Sequence, residues 1–242
     1  MPVHDFKRTN FVLVHGAWHG GWCYRRVADR LQDRGHRVFT PTLSGMAERS
    51  HTYTTAINLD THITDIVNLL AWEDLEDVVL CGHSYGGTVI TGVADRMTER
   101  IASLVYVDAN IPEDGQCSLD IRGPEEALAR LRLAADGDGL SVPPRSAEAL
   151  FVNPADRDMV NAKCTRHPLG AFSQRIRLTG AHKTISRNMY ILAGGYRESP
   201  LKKFHDQVQG QPGWTTHVVP CGHDVMVDMP DRLTELLLEA MP

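Results

Sequence analysis

Short apolar runs alternate with segments of helical periodicity along most of the chain. Apolar and β-branched runs predict six strands, at residues 11–14, 36–40, 77–80, 101–107, 187–193 and 215–219. Amphipathic or apolar segments between them predict helices, at residues 24–32, 59–70, 88–94 and 233–238. Strands that alternate with helices are typical of a mainly parallel sheet covered by helices on both faces.

The pattern changes over residues 111–185, which are rich in proline and glycine. Two short helices are predicted there, at 124–135 and 154–164, and no strand. We therefore expect a small helical cap at 111–185, inserted into a core formed by residues 1–110 and 186–242. Because it has no predicted strand, the cap should not extend the sheet.

A Gly-His-Ser-Tyr-Gly stretch at residues 82–86 lies between a predicted strand and a predicted helix. A strand that turns directly into a helix strains its central residue and leaves little room beside it, which explains Gly82 and Gly86. This strand–turn–helix context is that of a nucleophile elbow, with Ser84 as the nucleophile. An ordinary glycine turn is the alternative.

A glycine-rich loop follows the first strand, so its amides are expected at the same sheet edge as Ser84. An oxyanion hole needs two N–H donors, and we assign them to Ala17 and Tyr85. His15 and His19 are expected to hydrogen-bond this loop and to transfer no proton. The predicted pocket residues are Gly16, Trp18 and His83, although Trp18 fits the core equally well.

A serine hydroxyl needs a base to remove its proton, and a histidine has a suitable pKa. Of the twelve histidines in the chain, only His223 follows the last predicted strand. It is therefore the predicted general base, with an ordinary surface histidine as the alternative.

These residues resemble the α/β-hydrolase superfamily, in particular the plant methylesterase and hydroxynitrile lyase group and its bacterial esterase relatives. The matching stretches are residues 11–17, 45–51, 82–87 and 222–223. The resemblance implies a six-stranded α/β fold with a helical cap, and acyl transfer on a small hydrophobic or aromatic ester. Lyase members have Thr in place of Gly16 and Lys in place of Asp224, so both departures favour an esterase.

The group usually carries its catalytic acid in the loop after the fifth strand, which here spans residues 193–200 and contains no Asp. Tyr196 falls near the expected position. Asp108, at the end of the fourth strand, is the preferred acid because a short carboxylate on a strand end is held rigidly. Glu198 is the alternative acid, and Asp108 would then only cap a turn.

Composition and charge exclude several kinds of partner and site. The net charge of −5 indicates no nucleic-acid or membrane partner, and five irregularly spaced cysteines predict neither a disulfide framework nor a metal site. Residues 1–5 do not read as a signal peptide, so we expect a cytoplasmic protein. Oligomeric state stays open, with a homodimer as one option.

The sequence favours a cofactor-free serine carboxylesterase acting on a small-molecule ester. One alternative is a cofactor-free oxygenase or C–C bond lyase on the same fold, which would use His223 and Asp108 as a basic dyad. The other is a non-catalytic binder that holds its ligand under the cap.

Overall fold

The computed structural model describes residues 8–197 and 199–242. Its eight described strands are β1 Asn10–Val14, β2 Arg37–Phe39, β3 Val78–His83, β4 Ile101–Val107, β5 Ser141–Val142, β6 His167–Pro168, β7 Asn188–Ala193 and β8 Trp214–Val219. Six of them form one sheet in the order β2-β1-β3-β4-β7-β8. Every neighbouring pair in this sheet is parallel, as the alternating pattern predicted.

Helices cover both faces of the sheet. They are α1 Arg25–Asp33, α2 Leu59–Trp72, α3 Gly86–Arg96, α4 Ser118–Arg122, α5 Pro124–Ala135, α6 Arg157–Lys163, α7 Leu169–Ser173, α8 Lys202–Val208, α9 Val225–Asp228 and α10 Pro230–Glu239. Short 3₁₀ segments lie at Gly21–Tyr24, Ala47–Thr52, Thr98–Arg100, Pro154–Asp156 and Ala181–Thr184.

The side chains of a single strand divide between two apolar clusters. In β1, Val12 and Val14 belong to one cluster, whereas Phe11 and Leu13 belong to the other. Successive side chains of a strand point to opposite faces, so both faces of the sheet are buried. This is why the strands appear in the sequence as continuous apolar runs.

The segment between β4 and β7 departs from the prediction in its helices and in its strands. Helices α4 and α7 were not predicted, and the predicted helix at 154–164 is a 3₁₀ segment, Pro154–Asp156, followed by α6. Helix α5 has the predicted bounds, but β5 and β6 form a separate two-stranded antiparallel sheet where no strand was predicted. Two-residue strands are too short to show a periodicity, and other parts of the chain stabilise them. The Trp18 indole donates to the Val142 carbonyl, for example, at 3.2 Å.

The same segment packs onto the sheet and does not form a separate core. Its Phe172 belongs to the cluster that contains Val12, and its Leu150 belongs to the cluster that contains Phe11. The division of the chain into core and cap at residues 111 and 185 stays a prediction. None of the helices described is both long and apolar enough to cross a membrane.

Candidate active site

Ser84 lies between β3 and α3 with φ 53°, in the left-handed region. Its amide donates to the Val107 carbonyl at 3.2 Å, which holds the turn against β4. A Cβ on Gly82 would lie 2.6 Å from the Gly86 carbonyl oxygen, and one on Gly86 would lie 2.7 Å from the Val14 carbonyl oxygen. The turn therefore requires glycine at both positions, as the sequence motif indicated.

Asp108 and His223 meet at the same edge of the sheet. Asp108 directly follows β4 with φ 41°, and its amide donates to the Ile191 carbonyl at 2.7 Å. Nδ1 of His223 donates to Oδ2 of Asp108 at 2.6 Å, and both side chains are buried. A neutral imidazole with its proton on Nδ1 has a free lone pair on Nε2, which is the arrangement of a general base.

The structure thus brings together Ser84, His223 and Asp108, the preferred acid. The alternative acid, Glu198, lies outside the described residues. The amide of His223 donates to the Leu150 carbonyl at 2.9 Å, so the histidine loop is held by the segment that covers the sheet edge.

Ala17 and Tyr85 line the same cavity as Ser84, and among the residues described neither backbone amide donates to a turn or loop carbonyl. The peptide that carries the Ala17 N–H also carries the Gly16 carbonyl, which accepts from Nδ1 of His15 at 2.8 Å. Nε2 of His15 accepts from the Leu43 amide at 3.1 Å. Both nitrogens of His15 are therefore used in orienting the loop, and the prediction that it transfers no proton agrees with this geometry.

His19 holds the next peptide of this loop through a buried ion pair. Its Nδ1 donates to the Ala17 carbonyl at 2.8 Å and its Nε2 donates to Asp224 at 3.0 Å. Because both partners are acceptors, His19 is a cation. Although burial lowers the pKa of His19, the Asp224 carboxylate outweighs it and raises this pKa well above the ordinary value.

His83 and Gly16 lie beneath the nucleophile, next to the cavity and not among the residues that line it. Nε2 of His83 donates to the His223 carbonyl at 3.0 Å. A Cβ on Gly16 would lie 2.7 Å from Nδ1 of His83 and 3.0 Å from Cβ of Ser84. Gly16 therefore allows close packing of the loop on the elbow.

Three further histidine contacts surround this region. The Tyr85 hydroxyl donates to Nδ1 of His62 at 3.0 Å, and Nε2 of His62 donates to the Ser44 carbonyl. The ring of His167 stacks on Phe172 with centroids 4.1 Å apart, and neither of its nitrogens has a partner in the described chain. Burial lowers the pKa of His15 to about 3 and of His62 to about 4.

The same cause, burial, holds the pKa of His83 and of His167 well below the ordinary value. These four side chains are consequently neutral near pH 7. Sequence reasoning considered only His15 and His83 among them, because no local motif marks His62 or His167.

A narrow, partly open cavity lies over Ser84. The residues that line it are Ala17, Trp18, Ser84, Tyr85, Asn110, Ser118, Arg122, Arg130, Arg145, Leu150, Phe172, Tyr196 and His223. The space between them is only about 10 Å³, room for roughly one water molecule. Trp18 is thus both buried and part of the pocket wall.

Three arginines in this lining were missed by the sequence analysis. Nη2 of Arg122 lies 3.4 Å from Oγ of Ser84, and the Arg130 guanidinium lies over the Phe172 ring at 4.5 Å. Burial lowers the pKa of Arg122, and that of Arg130 to about 10, yet both remain cations at neutral pH. No motif marks them, because they come from the turn-rich segment that the fold places over the site.

Comparison with known proteins identifies the family of this chain. A model of the alpha/beta hydrolase family matches residues 11–236. The chain belongs to the alpha/beta hydrolase family. It is 44% identical to the carbendazim hydrolyzing esterase of Nocardioides sp. over 95% of this chain and 98% of that protein. It is also 28% identical to putative methylesterase 14 of Arabidopsis thaliana, over 78% of this chain and 60% of the relative.

The fold of this alpha/beta hydrolase superposes on that of an extracellular alpha/beta-hydrolase from a Paenibacillus species. The TM-score is 0.83 at 21% identity, over 96% of this chain and 99% of the other. The predicted fold is confirmed. Since its relatives are esterases, this alpha/beta hydrolase is an ester hydrolase.

Proposed function

We propose that the protein is a serine carboxylesterase with Ser84 as nucleophile, His223 as base and Asp108 as the acid of the triad. The observation that carries the proposal is the 2.6 Å hydrogen bond from His223 Nδ1 to Asp108, made where His223 and Ser84 line one cavity. The hydrogen bond fixes the tautomer that leaves Nε2 of His223 free to accept the serine proton.

In this mechanism Oγ of Ser84 attacks the ester carbonyl while Nε2 of His223 takes its proton. The Ala17 and Tyr85 amides donate to the oxyanion that forms. His223 then gives its proton to the departing alcohol, and an acyl-enzyme remains. Water, deprotonated by His223, attacks this acyl group, and the acid leaves as Ser84 recovers its proton.

The aromatic walls of the cavity support a small aromatic substrate, which fits once the lining side chains move apart, since the present space holds about one water molecule. Trp18 and Phe172 meet edge to face with centroids 6.1 Å apart, and Tyr85 and Phe172 do so at 5.8 Å. The relative from Nocardioides is named for the hydrolysis of carbendazim. Carbendazim is therefore assayed together with a panel of methyl and p-nitrophenyl esters.

Ser84→Ala is expected to lower kcat for the best ester of this panel on the order of 10⁴-fold or more, because no other group in the site supplies the nucleophile. A fluorophosphonate should label the wild type at Ser84 and leave the variant unlabelled. Ser118→Ala is the matched control, since it removes another hydroxyl in the same cavity, and it should lose less than about tenfold.

Retention of a tenth of the wild-type activity in Ser84→Ala would refute the serine mechanism. If the variant instead consumed oxygen with an aromatic substrate as fast as the wild type, the dyad of His223 and Asp108 would be acting as the base of an oxygenase. Cytoplasmic location, a possible homodimer and the absence of nucleic-acid and membrane partners stay predictions.

A further inference from the structure

Arg122 is half-buried beside the nucleophile, its Nε is fully enclosed, and no described carboxylate forms an ion pair with it. It ends α4, and its Nη2 lies 3.4 Å from the Ser84 hydroxyl oxygen. Over residues 8–197 and 199–242, no carboxylate forms an ion pair with it, and its buried Nε has no acceptor. A guanidinium carries five N–H donors in a planar fork, so most of the donors of Arg122 are free to bind a ligand.

The two neighbouring arginines, unlike Arg122, each lie close to a carboxylate. Nε of Arg130 donates to Glu126 at 3.0 Å, and Nη1 of Arg145 lies 3.8 Å from the same carboxylate. The one other carboxylate near the nucleophile, Asp108, accepts from His223. Glu126 and Asp108 also attract Arg122, from beyond ion-pair distance. Three arginines around the cavity therefore share two described carboxylates, and Arg122 is the one that contacts neither of them.

A buried cation without a partner is unfavourable, and a ligand that supplies an anion removes this cost. Arginine forks bind carboxylates through two parallel hydrogen bonds, which gives orientation as well as affinity. The free donors of Arg122 and the excess positive charge therefore both favour an anionic ligand over a neutral one.

We propose that Arg122 binds a carboxylate of the substrate, so that the preferred substrates are small aromatic esters that carry a second, ionised carboxyl group. The inference rests on the proposed serine esterase function and adds the substrate class. Because Nη2 of Arg122 lies so close to Ser84 Oγ, the carboxylate lies only a few bonds from the scissile carbonyl. The aromatic ring between the two groups then contacts the Trp18 and Phe172 walls.

The test compares the monomethyl and dimethyl esters of phthalic, isophthalic and terephthalic acid. The two members of each pair have nearly the same shape and differ by one negative charge. We expect the wild type to prefer the monoester in kcat/KM by at least about tenfold for one of the three isomers, since a site built for a polar group rejects the analogue that lacks it.

Arg122→Gln should lower this monoester-to-diester ratio by about tenfold or more, and Arg122→Lys should keep part of it because the charge remains. Arg232→Gln, which removes an arginine from α10, is the matched control and should leave the ratio unchanged. The ratio compares two substrates on one enzyme, so a variant that folds only partly still gives a valid result.

Two outcomes would overturn the inference and leave the serine mechanism standing. One is a wild type that hydrolyses the diesters as well as every monoester. The other is an equal loss on both members of a pair in Arg122→Gln, which would mean that Arg122 acts on Ser84 or on the oxyanion. Failure of the wild type to hydrolyse any ester, together with no fluorophosphonate labelling, would refute the proposed function itself.

Discussion

Asp108 and Ser84 share an unusual backbone conformation at the ends of neighbouring strands. Both have positive φ, 41° and 53° respectively, which costs non-glycine residues about 1 kcal/mol or more each. The Ser84 amide donates to the Val107 carbonyl and the Asp108 amide donates to the Ile191 carbonyl, and these bonds hold both residues in this conformation. The strain turns each side chain out of its strand and toward the cavity edge.

Asp108→Asn is expected to lower kcat on the order of 10³–10⁴-fold. An amide can stabilise the wrong tautomer of His223 and cannot compensate the imidazolium charge that forms during attack. Steady-state kinetics on the best ester measure the loss in kcat. Little change in KM is expected, because Asp108 accepts its hydrogen bond from His223.

Glu198→Gln serves as the paired variant and should lower kcat by less than about tenfold. The reverse order, with Glu198→Gln inactive and Asp108→Asn active, would show that the acid lies after β7 and that Asp108 only caps a turn.

At this scale the sequence predicted the residues that a local motif or a strand end marks. Ser84 has its elbow, and His223 and Asp108 each follow a strand, so their common edge could be inferred from topology. Arg122 could not be predicted, because its position beside Ser84 depends on how residues 111–185 fold over the sheet. Nothing in its own neighbourhood in the chain distinguishes it from an exposed arginine.

Among the elements, the loop after β1 shows how side chains orient a backbone donor. His15 accepts from the Leu43 amide and donates to the Gly16 carbonyl, while His19 donates to the Ala17 carbonyl. The peptide that carries the Ala17 N–H and the peptide that follows it are thus both held in place. A donor that is already oriented needs no reorganisation when the oxyanion forms.

His15→Ala is expected to lower kcat by roughly 10- to 100-fold while KM changes little, because an imprecise oxyanion donor affects the transition state more than the bound ester. The affinity of a trifluoromethyl ketone, which forms a tetrahedral adduct with the serine, should fall in parallel. A kcat loss without weaker binding of this analogue would assign His15 a merely structural role.

The longer elements could be predicted because each buries a face with a clear period. Helix α5 and strand β4 have the predicted bounds, since proline starts the one and an apolar run defines the other. Strands β5 and β6 could not be predicted, because contacts with Trp18 and with each other stabilise them. Their pairing is a tertiary effect that two residues cannot encode.

For the whole molecule, the buried histidines couple folding to protons. His15, His62, His83 and His167 have lowered pKa values in the folded state, so the unfolded chain binds more protons below pH 6.5. Stability therefore rises with pH up to about 6.5 and is lost as pH falls. His19 has the opposite sign, and its contribution is complete below pH 6.5 and declines above it.

We expect the free energy of unfolding to fall steeply between pH 6.5 and 4.5. Each of the four histidines contributes up to about 1.4 kcal/mol per pH unit, or up to about 5.6 kcal/mol per unit together, and over two pH units this is comparable to the whole stability of a typical domain. Urea unfolding at several pH values measures the slope. His167→Phe should reduce it by about 1.4 kcal/mol per pH unit, since Phe stacks equally well and binds no proton.

His51→Gln is the control for this measurement. His51 is exposed in the folded protein, so its replacement should leave the slope unchanged. A flat stability profile between pH 6.5 and 4.5 in the wild type would contradict the expectation.

The origin of the cavity walls over Ser84 has a consequence for how such a protein can change over generations. The proposed catalytic residues follow strand ends. Much of the cavity wall, including Arg122, Leu150 and Phe172, comes instead from the segment between β4 and β7. Substitutions in that segment can alter which compounds are accepted while the reaction itself is preserved. New substrates are thus accessible to this scaffold through changes in one segment of the gene.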